Sequence, residues 1–259
     1  MRHLSVIGIG AGNPDDITIA AIKALDACDV FFVIDKPGER EELALARREV
    51  IARHVTGSDR RIVQVEDPER DRTAARYVEA VEDWRRRRAG VWEARIAGEL
   101  CDGQRGAFLV WGDPALYDST IAVLDAISAR GRVAFELDVI PGISCIAALT
   151  ARHRIALNRV GRPVQITTGR RLAEGFPAGA DDVVVMLDAG CAFRGVDPEV
   201  EIYWGAYLGT EDEILVAGRL ADVAEKIVRI RARARERKGW IMDTYLLRRE
   251  PGQAPRPRS

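Results

Sequence analysis

The sequence predicts an α/β fold made of two α/β domains, and three observations predict it. Short apolar runs that end in Gly, Pro or Asp alternate with longer stretches of helical spacing. In the first half this βαβα alternation is regular, which implies a mostly parallel sheet with helices on both faces. In the second half the apolar runs follow one another more closely, which suits a mixed sheet. A chain of 259 residues, 47% hydrophobic, is long enough to bury one large or two small cores.

The elements follow in order. Leu4 to Ile9 is a β-rich run that enters a Gly-rich turn, and it reads as a first strand, not a signal peptide. Asp15 to Ala27 has helical spacing, with Ile17, Ala20, Ala21, Ala24 and Leu25 on one side. Strands are expected at Val30 to Ile34, Arg61 to Val65 and Phe108 to Trp111, and helices at Glu41 to His54, Thr73 to Leu100 and Leu116 to Ala129. The second half restarts with a strand at Arg132 to Ile140, a helix at Ile143 to Arg152 and strands at Val164 to Thr168 and Asp182 to Leu187. Glu201 to Leu208, Glu213 to Val216 and Trp240 to Leu247 read as strands, and Leu220 to Lys238 as an amphipathic helix. The domain boundary is expected near Ser119 to Arg130, giving domains 1–120 and 121–250, followed by a disordered Pro- and Arg-rich tail, 251–259.

Composition narrows the function. Lys and Arg total 39 against 40 Asp and Glu, a balance that argues against a protein held to nucleic acid or to a membrane surface by bulk charge. No apolar run approaches the roughly 20 residues of a membrane span. Cys28, Cys101, Cys145 and Cys191, and the histidines His3, His54 and His153, are scattered without metal-ligand spacing. The expectation is no metal and reduced thiols in a cytoplasmic protein. Arg85 to Arg88 and the basic stretch Arg229 to Lys238 read as solvated helix faces.

Chemistry is expected at strand ends, because ligands of α/β sheets bind outside the carboxyl ends of the strands. Gly8, Gly10 and Gly12 follow a strand, but the third glycine comes one residue early for G-x-G-x-x-G, and Asn13-Pro14 interrupts the turn. Asp15 and Asp16 stand where a pyrophosphate would bind and repel it, so the loop suits a ligand without phosphate. This disfavours a nucleotide-binding oxidoreductase. Gly112-Asp113-Pro114 closes another buried strand, and Pro141-Gly142 a third. Asp35 ends the second apolar run, where it is either a general base or a cap. Met186 ends a further run, and Gly209-Thr210 turns into an acidic cluster. Arg170-Arg171 at a strand end are candidates for gripping an anion.

The ordered set resembles the S-adenosylmethionine-dependent tetrapyrrole (corrin/porphyrin) methyltransferases. It comprises Gly-x-Gly-x-Gly-x-Pro, an acidic strand end, Gly-Asp-Pro, Pro-Gly-Ile-Ser, a strand-end Met and a late Gly-Thr, over nearly the whole chain. The resemblance implies two α/β domains with the active site in the cleft between them, and commonly a homodimer. It implies cofactor contacts at Ala11, Trp111, Gly112, Asp113, Leu116, Ser144, Cys145, Met186 and Gly209. Segments such as GAFLVWGDPALYDST and ITTGRRL, with Trp111 where other members usually have glycine, are similar to a deacetylating branch. For that branch the implied reaction is methylation of precorrin-5 at C-1 with release of acetate, in aerobic cobalamin biosynthesis. Asp35 is then the first candidate base, with His153 and Tyr117 behind it, and Arg152, Arg170 and Arg171 are candidate anchors for the carboxylates of the tetrapyrrole. A family member acting at another precorrin position, or on RNA or protein, is the alternative, the RNA enzyme disfavoured by the charge balance.

Overall fold

The computed structural model describes residues 1–35, 41–57, 59–68 and 77–250. The chain divides into two compact units, Met1–Ser144 and the residues from Cys145 onward.

Unit 1 holds a five-stranded parallel sheet. Its strands are β1 (Arg2–Gly8), β2 (Val30–Asp35), β3 (Arg61–Glu66), β4 (Arg105–Val110) and β5 (Phe135–Ile140), in the order β3-β2-β4-β1-β5. Alternate residues feed opposite faces, as pleating requires. Leu4, Val6, Phe32, Phe108 and Val110 pack with α3 (Tyr77–Glu99) and α4 (Thr120–Arg130). Ile7, Phe31, Val33, Ala107 and Leu109 pack with α1 (Ile19–Asp26) and α2 (Glu41–His54). The expected α/β architecture, with helices on both faces, follows directly.

The domain boundary differs from the expected one. α4 and β5 belong to the first unit, because β5 pairs with β1 along its whole length, from Arg2↔Phe135 to Ile7↔Ile140. That pairing spans more than 130 residues of sequence and is invisible to local pattern. Two helices also start later than expected. Pro14–Asp16 forms a 3-10 turn whose Asn13 side chain accepts the Asp15 N–H, and Thr18 then caps α1 by accepting the Ala21 N–H. α4 waits until Thr120, whose N–H donates to Asp118.

Unit 2 holds a mixed sheet of β6 (Val164–Thr168), β7 (Asp182–Met186), β8 (Glu201–Ala206), β9 (Ile214–Arg219) and β10 (Asp243–Arg248), in the order β6-β7-β10-β8-β9. Only β6 and β7 are parallel. α7 (Leu220–Lys238) buries Leu220, Ile227 and Ala234 in a core with Val183, Val185, Ile202, Trp204, Tyr245 and Leu247. α5 (Cys145–His153) and a short α6 (Gly169–Glu174) complete the unit; α6 is not signalled by the sequence.

Two arginines correct the reading of solvated basic faces. Arg88 is buried against Trp92, its Nε 2.6 Å from Asp67, while Arg85 to Arg87 are exposed. Arg231 of α7 is buried and paired with Asp243 at 2.9 Å. Both are paired, as buried charges must be. The expected tail, 251–259, lies outside the described residues. No described helix is long and apolar enough to cross a membrane.

Candidate functional site

In unit 1 the carboxyl ends of β1, β4 and β5 converge on three glycines. A Cβ built on Gly8 would lie 2.6 Å from the Gly142 nitrogen, and one on Gly142 would lie 2.2 Å from the Gly112 carbonyl oxygen. Only hydrogen fits at these positions. Gly10 and Gly112 exchange backbone hydrogen bonds, Gly112 N–H to Gly10 at 2.7 Å and the return bond at 3.3 Å, and both adopt positive φ, the region open to glycine. Ala11 is buried beside them.

Asp113 is committed to this junction. One carboxylate oxygen accepts the Ala115 N–H at 2.8 Å, which shapes its own turn, and the other accepts the Gly142 N–H at 2.9 Å. The Gly-Asp-Pro and Pro-Gly-Ile-Ser turns are thereby tied together by a charge-assisted bond. The structure thus brings Ala11, Trp111, Gly112 and Asp113 to one strand edge, with Ser144 two residues beyond Gly142. Leu116 and Tyr117 follow in the same turn, and Tyr117 is half exposed with φ +52°.

The sheet opens beside this junction. β2 pairs with β4 only as far as Phe32↔Phe108, while β2 and β3 stay paired to Asp35↔Glu66. Asp35 is therefore the last residue of β2, at this opening; its side chain lies outside the described residues. Arg47 of α2 reaches the opened strand, its Nε donating to the Leu109 carbonyl at 2.9 Å and its Nη1 to Leu43 at 3.0 Å. The sequence reading misses Arg47, which carries no signal beyond its place in an ordinary charged helix.

In unit 2, Thr168, Met186, Thr244 and Gly205 lie in one row across the sheet at the strand ends. The loop after β8 places Tyr207 (φ +49°) and Gly209 (φ +75°) in the left-handed region. One oxygen of Glu213 accepts both the Gly209 N–H at 2.7 Å and Arg152 Nε at 3.0 Å. Glu213, also missed from the sequence, joins a predicted cofactor contact to a predicted substrate anchor. Asp212 in the same loop is paired with Arg237 at 2.6 Å and with Lys238, and these cations, the Lys238 hydrogen bond first, hold its carboxyl below the usual range.

His153 sits at the end of α5 with Nε2 3.1 Å from the Trp204 carbonyl, which assigns the proton to that nitrogen because a carbonyl only accepts. Burial lowers its pKa, so the imidazole is neutral at physiological pH with Nδ1 as its basic atom. Cys145 opens α5, and burial pushes its thiol up to about 11. It stays protonated and is no competing nucleophile. Arg171 is exposed and bonded to Glu174 at 2.8 Å, and Arg170 is exposed beside it. Among the described residues no cluster of three His, Cys, Asp or Glu side chains could hold a metal ion.

Comparison with known proteins gives this arrangement a class. The family described as Tetrapyrrole (Corrin/Porphyrin) Methylases matches residues 3–224, and the chain belongs to that family. More particularly, it is 53% identical over 250 residues to "Precorrin-6A synthase [deacetylating]" of Sinorhizobium sp., covering 96% of both chains. The crystal structure of a cobalamin-synthesis-related protein (CobF) from Corynebacterium diphtheriae superposes with a TM-score of 0.84 at 35% identity, covering 96% of this chain and 98% of that one. The fold is shared with uroporphyrin-III C-methyl transferase from Thermus thermophilus, complexed with S-adenosylhomocysteine, at a TM-score of 0.59 and 18% identity, covering 95% and 96%.

Proposed function

We propose that this chain methylates precorrin-5 at C-1 with release of acetate, giving precorrin-6A, with S-adenosylmethionine as methyl donor. The observation that carries the reading is the 53% identity over nearly the full length of a precorrin-6A synthase. The residues fit the cofactor. The segments Gly8–Gly12, Trp111–Leu116 and Pro141–Ser144 offer backbone groups and no lysine or arginine, which suits a ligand that carries no phosphate.

When bound, the cofactor supplies a methyl group by in-line displacement, the C–S electron pair returning to sulfur. The chain's own part is to position two reactants and to keep water in check. The three-glycine junction holds the strand ends at fixed separation, and Asp113 locks two of its turns. Glu213 fixes the Gly209 turn and Arg152 together. A base activates the water that attacks the ring acetyl group. Acetate departs, the C–C bond electrons pass into the macrocycle, and the ring carbon so exposed takes the methyl group. Asp35, at the opened sheet edge, is assigned that base role. Arg152, Arg170 and Arg171 are assigned to the substrate carboxylates, and His153 and Tyr117 stand behind Asp35 as candidates for the base. The protein is taken to work in the cytoplasm as a homodimer.

Titration with S-adenosylhomocysteine and with NAD tests the cofactor, and binding of NAD alone would overturn the reading. Asp35→Asn is expected to reduce kcat by about 100-fold or more with little change in S-adenosylhomocysteine affinity. Unchanged turnover would move the base role elsewhere.

A further inference from the structure

One residue outside every role above stands out. Leu187 follows Met186 at the end of β7, is 65% exposed, and holds φ at +53°. A leucine in the left-handed region costs free energy, and an exposed one recovers nothing by burial.

The surroundings force the conformation. On one side Met186 is fixed in the ladder between Thr168 and Thr244. On the other, Asp188 is buried and accepts the Gly190 N–H at 2.9 Å, the Ala192 N–H at 2.7 Å and the Tyr245 hydroxyl at 2.6 Å. Its backbone carbonyl accepts from Arg231 at 2.5 Å. Arg231 in turn pairs with Asp243, which also accepts from Trp204 Nε1 at 3.0 Å. Gly169 is packed so closely that a Cβ there would lie 2.5 Å from the Asp188 carboxyl carbon. A buried polar network thus anchors the residue next to Leu187 and turns that side chain outward.

The neighbouring charges define what it meets. β6 runs parallel to β7 with Thr168 opposite Met186, so Arg170 and Arg171 leave the sheet at the same edge as Leu187. An exposed apolar side chain on the sheet edge that also carries Arg170 and the Glu174-bonded Arg171 suits an apolar body with a carboxylate rim. It does not suit a cationic sulfonium.

We propose that Leu187 is a substrate-contact residue that receives the flat apolar face of a polycarboxylate tetrapyrrole, with Arg170 and Arg171 taking its carboxylates. This rests on the methyltransferase reading, so the test uses a stable probe that needs no turnover. Leu187→Asn and Leu187→Gly both relieve the left-handed penalty. Each is expected to melt no lower than the wild type and to weaken binding of uroporphyrin III, followed by fluorescence quenching, about tenfold. S-adenosylhomocysteine affinity and sedimentation are expected to stay as in the wild type. An unchanged porphyrin Kd would overturn the proposal. So would a loss confined to S-adenosylhomocysteine, which makes Leu187 a cofactor contact, or a change in oligomeric state, which makes it an interface residue. If the wild type binds uroporphyrin III but leaves precorrin-5 unaltered, the activity reading fails while the Leu187 result stands on its own.

Discussion

The two units fix their strand ends by opposite means. Unit 1 does it by omission: Gly8, Gly112 and Gly142 let three backbones approach until no side chain fits between them. Unit 2 does it with buried charge: Asp188, Arg231, Asp243 and Tyr245 form a satisfied network at the end of β7, and the bulky residues Leu187 and Tyr207 take left-handed backbone angles. Parallel strands leave the sheet side by side, so backbone can meet backbone. In the mixed sheet every neighbouring pair except β6 and β7 exits in opposite directions, and side chains bridge from elsewhere. Unit 1 accordingly presents main-chain groups, and unit 2 presents side chains.

Perturbations of each device separate them. The largest effect is expected from Gly142→Ala, whose new methyl would overlap the Gly112 carbonyl at 2.2 Å. It should cost about 3 kcal/mol and abolish S-adenosylhomocysteine binding by calorimetry. Retained binding would break the account of unit 1. Asp188→Ala orphans two amides and the Tyr245 hydroxyl, at a cost of about 3 kcal/mol. Hydrogen exchange should show β7 and β10 losing protection while β1 and β4 keep theirs. Equal loss in both sheets would mean that the units are not independent.

Asp113→Asn keeps one acceptor and is expected to cost about 1 kcal/mol and roughly tenfold in S-adenosylhomocysteine affinity. The smallest effect concerns His153. Burial holds its pKa below the ordinary value, so the unfolded chain binds the proton first. Stability should be full above about pH 6.5 and decline as pH falls below it. In melts across that range, His153→Gln should flatten this part of the profile. An unaltered profile would remove His153 from the account.

Legibility in the sequence followed the same division. The runs at Val30–Val33 and Asp182–Val185 are readable because their residues are buried on both faces, and continuous apolar stretches say so directly. The span of α7 is readable from its amphipathic spacing and the Gly239 cap. β4 begins earlier than its apolar run suggests, because Gly106 packs beneath Phe32 and Leu4 and a glycine announces no strand. The Gly-Asp-Pro turn stands out in sequence as a strand exit. That Asp113 is spent on Gly142 does not, since the partner lies 29 residues away. Glu213 and Leu187 are silent for related reasons: one acts through a backbone amide and a distant arginine, the other through a dihedral angle.

The central claim, a methyl transfer coupled to loss of an acetyl group, is tested most directly by stoichiometry. Precorrin-5 is incubated with the purified chain and methyl-labelled S-adenosylmethionine, and label in the tetrapyrrole is counted against free acetate. One methyl gained for each acetate released is the predicted result. Methyl incorporation without acetate, or no incorporation at all, would contradict it.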